Sequence, residues 1–247
     1  MNDCVLGAVL ERGVVRIGAR WDLTFEQFIN PETGEPGGVV AEVGQLLAES
    51  LGVTPDFVVL EWKDQIPALV AGRVDVLLKH TNLPVRALEV EFSAGVLLEY
   101  EGVVLVREAD RGNGRSWVES SHLRLAAVLG AMQEAIIRER FVNASFVGVP
   151  DNDEGAELVR IGSVDGLVVD AGLFVPDGCA YLEDQTGERF IVSRDASHPC
   201  VALGQYRFLR WLDTFMDFHT RLGTIRRIVE RAQAEHARLN ISKLDRA

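Results

Sequence analysis

The stretch FVVLEWKDQIPALVAGRVDVLL, residues 57–78, carries the pattern that decides the fold. It opens with FVVL, a short apolar run that is typical of a strand. Ile66, Leu69 and Val70 then recur at helical spacing on one face of the next segment. A second apolar run, DVLLK at 75–79, predicts another strand. Strand, helix and strand in this order predict two parallel strands joined by a helix.

The same alternation extends along the whole chain, which predicts the α/β fold class. Glycines bound several of the segments, as Gly52 does at the end of a predicted helix. The predicted strands are 13–19, 56–60, 75–79, 123–130, 144–149 and 165–170, and the predicted helices are 39–51, 63–72, 131–141, 153–162 and 205–239. Gly223 is expected to divide the last helix into two.

Two parts of the chain repeat one pattern. LVAGRVDVLL (69–78) and LVRIGSVDGLVV (158–169) both run from the end of a helix through Gly-x-Val-Asp into an apolar strand. The repeat falls at the same place in two matching series of elements, and it therefore predicts two similar lobes.

Two further segments are interpreted as crossings between these lobes. They are EGVVLVRE (101–108), which precedes a polar loop, and ERFIVSRD (188–195). We therefore predict that 1–106 plus 193–247 form one lobe and that 107–192 form the other.

The composition narrows the choice of partners. The chain has 247 residues, of which 47% are apolar and 25% charged, with a formal net charge of −12. This charge repels polyanions at long range, so nucleic acid and anionic membrane surfaces are not expected partners. No apolar run approaches the roughly 18 residues of a spanning helix. The N-terminus has no visible signal peptide, so either the chain is cytoplasmic or an export signal has been removed.

Neither a metal nor a cofactor is expected. The five histidines have no metal-ligand spacing, and the sequence has no P-loop, G-x-G-x-x-G turn or G-x-S-x-G elbow. Cys179 and Cys200 could pair in an exported protein, which would leave Cys4 over. Three unpaired thiols are the favoured alternative.

Several motifs together resemble one family. They are GVVRIGARWD (13–22), the block 57–78, LPVRALEVEFS (83–93), IGSVDGLVVD (161–170) and RFLRWLDTFMDFHTRLGTI (207–225). Over nearly its whole length the chain resembles the periplasmic solute-binding proteins of the polar amino-acid type. The resemblance implies a type II periplasmic-binding-protein fold, in which two lobes joined by two crossing strands close on a ligand. It also implies a small amino acid or related carboxylate as ligand, an ABC-transporter permease as partner, a monomer, and a periplasmic or extracellular location.

The resemblance implies roles for three residues. Arg86 matches the arginine that clamps the ligand carboxylate, because a guanidinium can meet a carboxylate with two parallel hydrogen bonds. The alternative for Arg86 is a surface ion pair, for instance with Glu89. Asp170 matches the aspartate that receives the ligand ammonium, and its alternative is to cap a local turn. Thr81 lies near the position of a hydroxyl that supplements this grip.

Five more residues are candidates for the same site. Trp21 and Trp62 could line the cleft or pack in the core. Lys79 and His80 lie at the mouth of a strand, where they could contact an anionic group, although solvated side chains are favoured. Met132 could widen the pocket or simply begin a helix.

The chain also departs from the family pattern. The segment KHTN, 79–82, stands where small residues are common, and Arg20 stands where an acidic residue is frequent. GAM, 130–132, lacks the hydroxyls that usually help to bind the carboxylate. These departures predict that the ligand is not held in the ordinary way.

Two alternatives to simple binding stay open. The chain also resembles the cyclohexadienyl dehydratases, which are carbon–oxygen lyases, through GAMQEAIIRERF (130–141). Glu188 falls near their catalytic glutamate and could act as a general acid with a raised pKa. A cytoplasmic location would favour this enzyme. The other alternative is a sensor or partner-binding protein that no longer binds a small molecule.

Overall fold

A computed structural model describes residues 4–21, 24–120, 122–172 and 175–239. The chain divides into two compact units. Unit 1 is Met1–Leu98 with Ala196–Ala247, and unit 2 is Glu99–Asp195. The lobe boundaries predicted from the sequence, 106/107 and 192/193, stay a prediction.

The elements alternate as an α/β chain should. Up to the end of unit 1's first segment they are α1 Val5–Arg12, β1 Val14–Ala19, β2 Phe28–Ile29, β3 Pro36–Gly37, α2 Val39–Leu51, β4 Thr54–Val59, α3 Trp62–Val70, β5 Val76–Thr81, a 3₁₀ turn Arg86–Leu88 and β6 Val90–Phe92.

The chain then continues into unit 2 and returns. These elements are β7 Leu98–Arg107, a 3₁₀ segment Glu108–Asn113, α4 Gly114–Ser120, β8 Arg124–Val128, α5 Met132–Arg140, β9 Ser145–Val149, α6 Asn152–Arg160, β10 Gly166–Asp170, β11 Cys179–Tyr181, β12 Ile191–Ala202, α7 Tyr206–Arg221 and α8 Thr224–Leu239. The predicted α/β fold class is confirmed, and the last helix is divided at Gly223 as predicted.

Unit 1 is built on a mostly parallel sheet. Strands β4, β1 and β5 lie side by side in parallel, β12 pairs antiparallel with β5, and β6 pairs with β12. Helix α2 packs closely on this sheet, because a Cβ on Gly44 would lie 2.8 Å from the Phe57 ring. Gly52 ends α2 in the left-handed conformation at φ 71°, which favours glycine.

Unit 2 repeats the plan. Strands β10, β8 and β9 are parallel in that order, and β7 pairs antiparallel with β10. Apolar side chains fill both faces of its sheet, as the buried Val104 and Leu167 show in two separate clusters. The sequence pattern therefore predicts this unit correctly, since strands covered on both faces appear as continuous apolar runs.

Three details differ from the sequence analysis or complete it. Helix α1 was not predicted, and the whole of the polar segment 109–116, predicted as a loop, lies in the 3₁₀ segment and α4. Cys4, Cys179 and Cys200 are all free thiols in the structure. Within the described part of the chain, no helix is both long and apolar enough to span a membrane.

Candidate functional site

The candidate site in unit 1 lies where three parallel strands end. Because Gly18 pairs with both Val58 of β4 and Leu77 of β5, the carboxyl ends of the three strands meet at one edge of the sheet. Open α/β sheets place ligands at this end of their strands. We call the following set the unit 1 edge: Arg20, Trp21, Glu26, Glu61, Trp62, Lys79, His80, Thr81 and Arg86.

Arg86 is a buried residue of this edge. It begins the 3₁₀ turn after β5, and only 8% of the residue is exposed. Its Nη1 donates a hydrogen bond of 3.1 Å to the Thr81 carbonyl, and its guanidinium carbon lies 5.6 Å from the centre of the Trp62 ring. Burial lowers the pKa of Arg86, because desolvation disfavours the charged form. The guanidinium is thus fixed in direction, which a specific carboxylate contact requires.

His80 is packed under Trp62. The two rings stack with centroids 4.3 Å apart and an angle of 22° between their planes. His80 Nε2 lies 2.9 Å from Gln65 Oε1, and this acceptor places the proton on Nε2 when the ring is neutral. Burial, followed by the positive charges of Arg86 and Lys79, lowers the pKa of His80 well below its usual value. The expectation of a solvated His80 is wrong, because the residue is only 2% exposed.

Lys79 forms an ion pair with Glu26. Its Nζ donates to Glu26 Oε2, and the side chains are only 19% and 10% exposed, so the expectation of a solvated Lys79 is also wrong. The Glu26 segment is fixed by the start of α2, since Val40 N–H donates to the Glu26 carbonyl at 2.8 Å. Sequence reasoning missed Glu26, and the only signal was a charged residue between two phenylalanines in TFEQF, 24–28.

The two tryptophans both make aromatic contacts within unit 1. Trp62 begins α3 and carries the stack on His80. Trp21 is half-buried and meets the Phe57 ring edge-on at a centroid distance of 5.5 Å. Phe57 also lines an open groove of about 550 Å³ between α2 and α8. These contacts support the packing alternative for Trp21, whereas Trp62 lies directly beside the buried guanidinium.

The candidate residues of unit 2 lie at the carboxyl ends of β8 and β10. Asp170 ends β10, and its Oδ1 accepts a 2.6 Å hydrogen bond from Gln133 Nε2. Gln133 is buried in the first turn of α5 and was not predicted. Met132, the residue before it, begins α5 and packs against the core cluster of unit 2. Asp170 is thus held in one orientation, and Met132 makes the contacts of its structural alternative.

Glu188 lies in a tight turn on the surface of unit 2. The Asp184 carboxylate caps this turn by accepting hydrogen bonds from the Thr186 and Glu188 N–H groups at 2.7 and 3.2 Å. The Glu188 side chain is exposed. A general acid acts in a cleft that excludes water, so this exposed position in a surface turn does not support the catalytic role that the enzyme hypothesis gives to Glu188.

Among the described residues, no three His, Cys, Asp or Glu side chains are grouped so that they could hold a metal ion.

Comparison with solved structures shows the fold. An ancestral amino acid-binding protein, a precursor of cyclohexadienyl dehydratase, matches with a TM-score of 0.77 at 23% identity, over 92% of this chain and 98% of that chain. An amino acid ABC transporter substrate-binding protein from Streptococcus pneumoniae bound to L-arginine matches with a TM-score of 0.79 at 16% identity, over 93% and 98%. A solute receptor for L-cysteine of Neisseria gonorrhoeae matches with a TM-score of 0.76 at 19% identity, over 92% of each chain. The predicted periplasmic-binding-protein-like fold of type II is therefore confirmed.

The family follows from the sequence itself. No curated protein sequence matches this chain significantly. The family model of the bacterial extracellular solute-binding proteins, family 3, however, matches residues 15–233. Since the match spans most of the 247 residues, the chain belongs to the bacterial extracellular solute-binding proteins of family 3.

Proposed function

We propose that this protein binds a small amino acid or related carboxylate and delivers it to an ABC-transporter permease. The observation that carries the proposal is the buried guanidinium of Arg86 at the carboxyl ends of β1, β4 and β5. Family membership supports solute binding, and the three structural relatives described above are named as amino acid or L-cysteine binders.

The chemistry of Arg86 supports a carboxylate as the bound group. A carboxylate ligand can accept two parallel hydrogen bonds from the planar guanidinium of Arg86. The contacts with Thr81 and Trp62 restrict the side chain before the ligand arrives, which reduces the entropy lost on binding.

The chemistry of Asp170 supports the role that the resemblance implies for it, which is to receive a ligand ammonium group. Gln133 donates a hydrogen bond to Asp170 Oδ1 and thereby fixes the carboxylate plane. An ionised carboxylate accepts hydrogen bonds at about four lone-pair positions, so it can receive an ammonium group as well.

Membership of the family supports the proposed partner and location. An extracellular solute-binding protein acts outside the cytoplasm and passes its ligand to a permease, which is the partner we propose. We propose binding rather than catalysis, and a monomer as the active form. The closure of two lobes on the ligand, which the resemblance implies, stays a prediction.

Substitution of Arg86 tests the proposal most directly. Isothermal titration with a panel of amino acids and keto acids should identify ligands for the wild-type protein. Arg86→Ala should then weaken binding of each ligand by roughly 2–5 kcal/mol, because the ligand carboxylate loses its buried partner. Arg86→Lys should recover only part of this loss, since an ammonium cannot form the two parallel hydrogen bonds.

The control is Arg226→Ala, which removes an arginine whose side chain is 79% exposed on α8. It should leave ligand affinity unchanged. Melting temperatures of all variants will show that they are folded. A folded Arg86→Ala variant with wild-type affinity would remove Arg86 from the site.

A further inference from the structure

We propose that the Lys79–Glu26 ion pair excludes cationic amino acids, so that the ligand is an amino acid whose side chain carries no positive charge. This inference rests on the proposed function and specifies the class of ligand within it. It assigns Lys79 and Glu26 as residues that determine specificity, in addition to the carboxylate anchor Arg86.

The pair lies within the unit 1 edge. Lys79 precedes His80 and Thr81 on β5, and Thr81 accepts the hydrogen bond from Arg86. The positive charges of Arg86 and Lys79 both add to the effect of burial in lowering the pKa of His80. Lys79 and Arg86 therefore act on the same part of the edge.

Glu26 is the residue that would otherwise attract a cationic ligand. Glu26 is only 7% exposed, and it is the only buried carboxylate among the residues of the unit 1 edge. A buried carboxylate without a cation is costly, and an arginine or lysine ligand could supply the missing charge. Here the ammonium group of Lys79 supplies it from within the chain. A cationic ligand would thus find its carboxylate already paired.

Repulsion adds to this effect. A ligand guanidinium or ammonium that displaced the Lys79 ammonium group from Glu26 would lie beside the like charge of Lys79. Like charges in a partly buried site raise the free energy of the complex. The relative from Streptococcus pneumoniae was solved with L-arginine, so the shared fold is compatible with a cationic ligand. The proposed difference therefore lies in the side chains of this edge.

The first experiment compares pairs of ligands whose side chains are similar in size and differ in charge. Isothermal titration of the wild-type protein should use L-arginine against L-citrulline and L-lysine against L-norleucine. In each pair the two side chains have similar size and only the first carries a positive charge. We expect the uncharged member to bind at least about tenfold more tightly, as one charged contact is sufficient for such a ratio.

The second experiment is a gain of function. Lys79→Ala should leave Glu26 buried without its cation, and affinity for L-arginine or L-lysine should rise about tenfold or more. The double variant Lys79→Ala/Glu26→Gln should lose this gain, because no carboxylate remains. Glu26→Gln alone should instead favour L-glutamate over L-glutamine, because it leaves Lys79 without its carboxylate.

The outcomes separate this inference from the proposed function. If the wild-type protein binds L-arginine as tightly as L-citrulline, the ion pair does not determine specificity, although amino-acid binding stands. If no amino acid binds at all, the proposed function fails and this inference fails with it. The comparison of wild-type ligands needs no variant, so it decides the question even if Lys79→Ala does not fold.

Discussion

The two units use the same Gly-x-Val-Asp motif in different surroundings. In unit 1, Asp75 donates its N–H to the Arg16 carbonyl at 2.8 Å, and its Oδ2 accepts the Arg16 N–H at 2.7 Å. In unit 2, Asp165 donates its N–H to the Arg124 carbonyl at 2.8 Å, and its Oδ2 accepts the Arg124 N–H at 2.8 Å. The aspartate therefore closes the same reciprocal pair of hydrogen bonds onto the neighbouring strand.

The difference is the setting of the carboxylate. The Asp75 side chain is 3% exposed and forms ion pairs with both Arg12 and Arg16, at 2.5 and 2.7 Å. The Asp165 side chain is 20% exposed, and its partner Arg124 is about half exposed. The motif thus determines the local geometry, while burial determines how much free energy the contact contributes.

The largest expected effect is on stability. Asp75→Asn should lower the free energy of unfolding by about 3 kcal/mol, because it leaves two arginines beside a buried amide. Asp165→Asn should cost only about 1 kcal/mol, since solvent already screens its partner. Urea denaturation of both variants, followed by circular dichroism, measures the two values.

Asp217→Asn provides the matched control, because Asp217 pairs with Arg221 on the exposed surface of α7. It should change stability by less than about 0.5 kcal/mol. Equal losses for Asp75→Asn and Asp165→Asn would show that the backbone hydrogen bonds, and not the burial of the carboxylate, carry the contribution.

The next effect concerns a buried group of unit 1. Burial and two nearby cations lower the pKa of His80 in the folded protein, so the unfolded chain binds the proton first as the pH falls. Stability should therefore decrease below about pH 6.5, by up to about 1.4 kcal/mol per pH unit. His80→Gln should make this part of the pH profile flatter. Urea denaturation at a series of pH values from about 5 to about 8 measures the free energy of unfolding of both proteins.

His122 supplies the control for that profile, because its side chain is exposed. His122→Gln should leave the slope as it is in the wild-type protein. A slope that is unchanged in the His80→Gln variant would mean that His80 is not the group responsible.

The smallest effect concerns the solvated aspartate of unit 2. Burial alone would raise the pKa of Asp165, but the hydrogen bonds from the Arg124 N–H and guanidinium outweigh it and lower the pKa. Its contribution should be fully present above about pH 4 and should disappear as the pH falls through the lowered value. The stability difference between wild type and Asp165→Asn should therefore be constant from about pH 7 to 5 and shrink below about pH 4. A stability difference that already changes between about pH 7 and about pH 5 would contradict this assignment.

Local patterns predicted most of the fold. Strands β1, β4, β5, β8, β9 and β10 and helices α2, α3, α5 and α6 were predicted because apolar residues recur along most of them with the period of each structure, and glycines mark several of their ends. Helix α1 was missed, although Val5, Leu6 and Val9 have helical spacing, because the segment is short and begins at an uncapped Cys4. The interpretation of 109–116 as a loop failed because short polar helices lack an apolar period.

The site was predicted less completely because its contacts join distant parts of the chain. Arg86 and Asp170 could be proposed as site residues, because they match positions in the family that the chain resembles. The partners Glu26 and Gln133 could not, as they lie 53 and 37 residues from Lys79 and Asp170. Such pairs depend on where loops and helices are held after the sheet has formed, and neither hydropathy nor spacing records this.

Strand β5 separates two tasks at its two ends. Asp75 precedes the strand and holds it to β1, whereas Lys79, His80 and Thr81 form its other end. A change of residue at the proposed ligand-binding end therefore leaves the stabilising carboxylate and its arginines in place. This arrangement makes the protein a good starting scaffold for laboratory evolution of new binding specificities, because the stability needed to tolerate such changes is supplied by residues that selection for a new ligand would not alter.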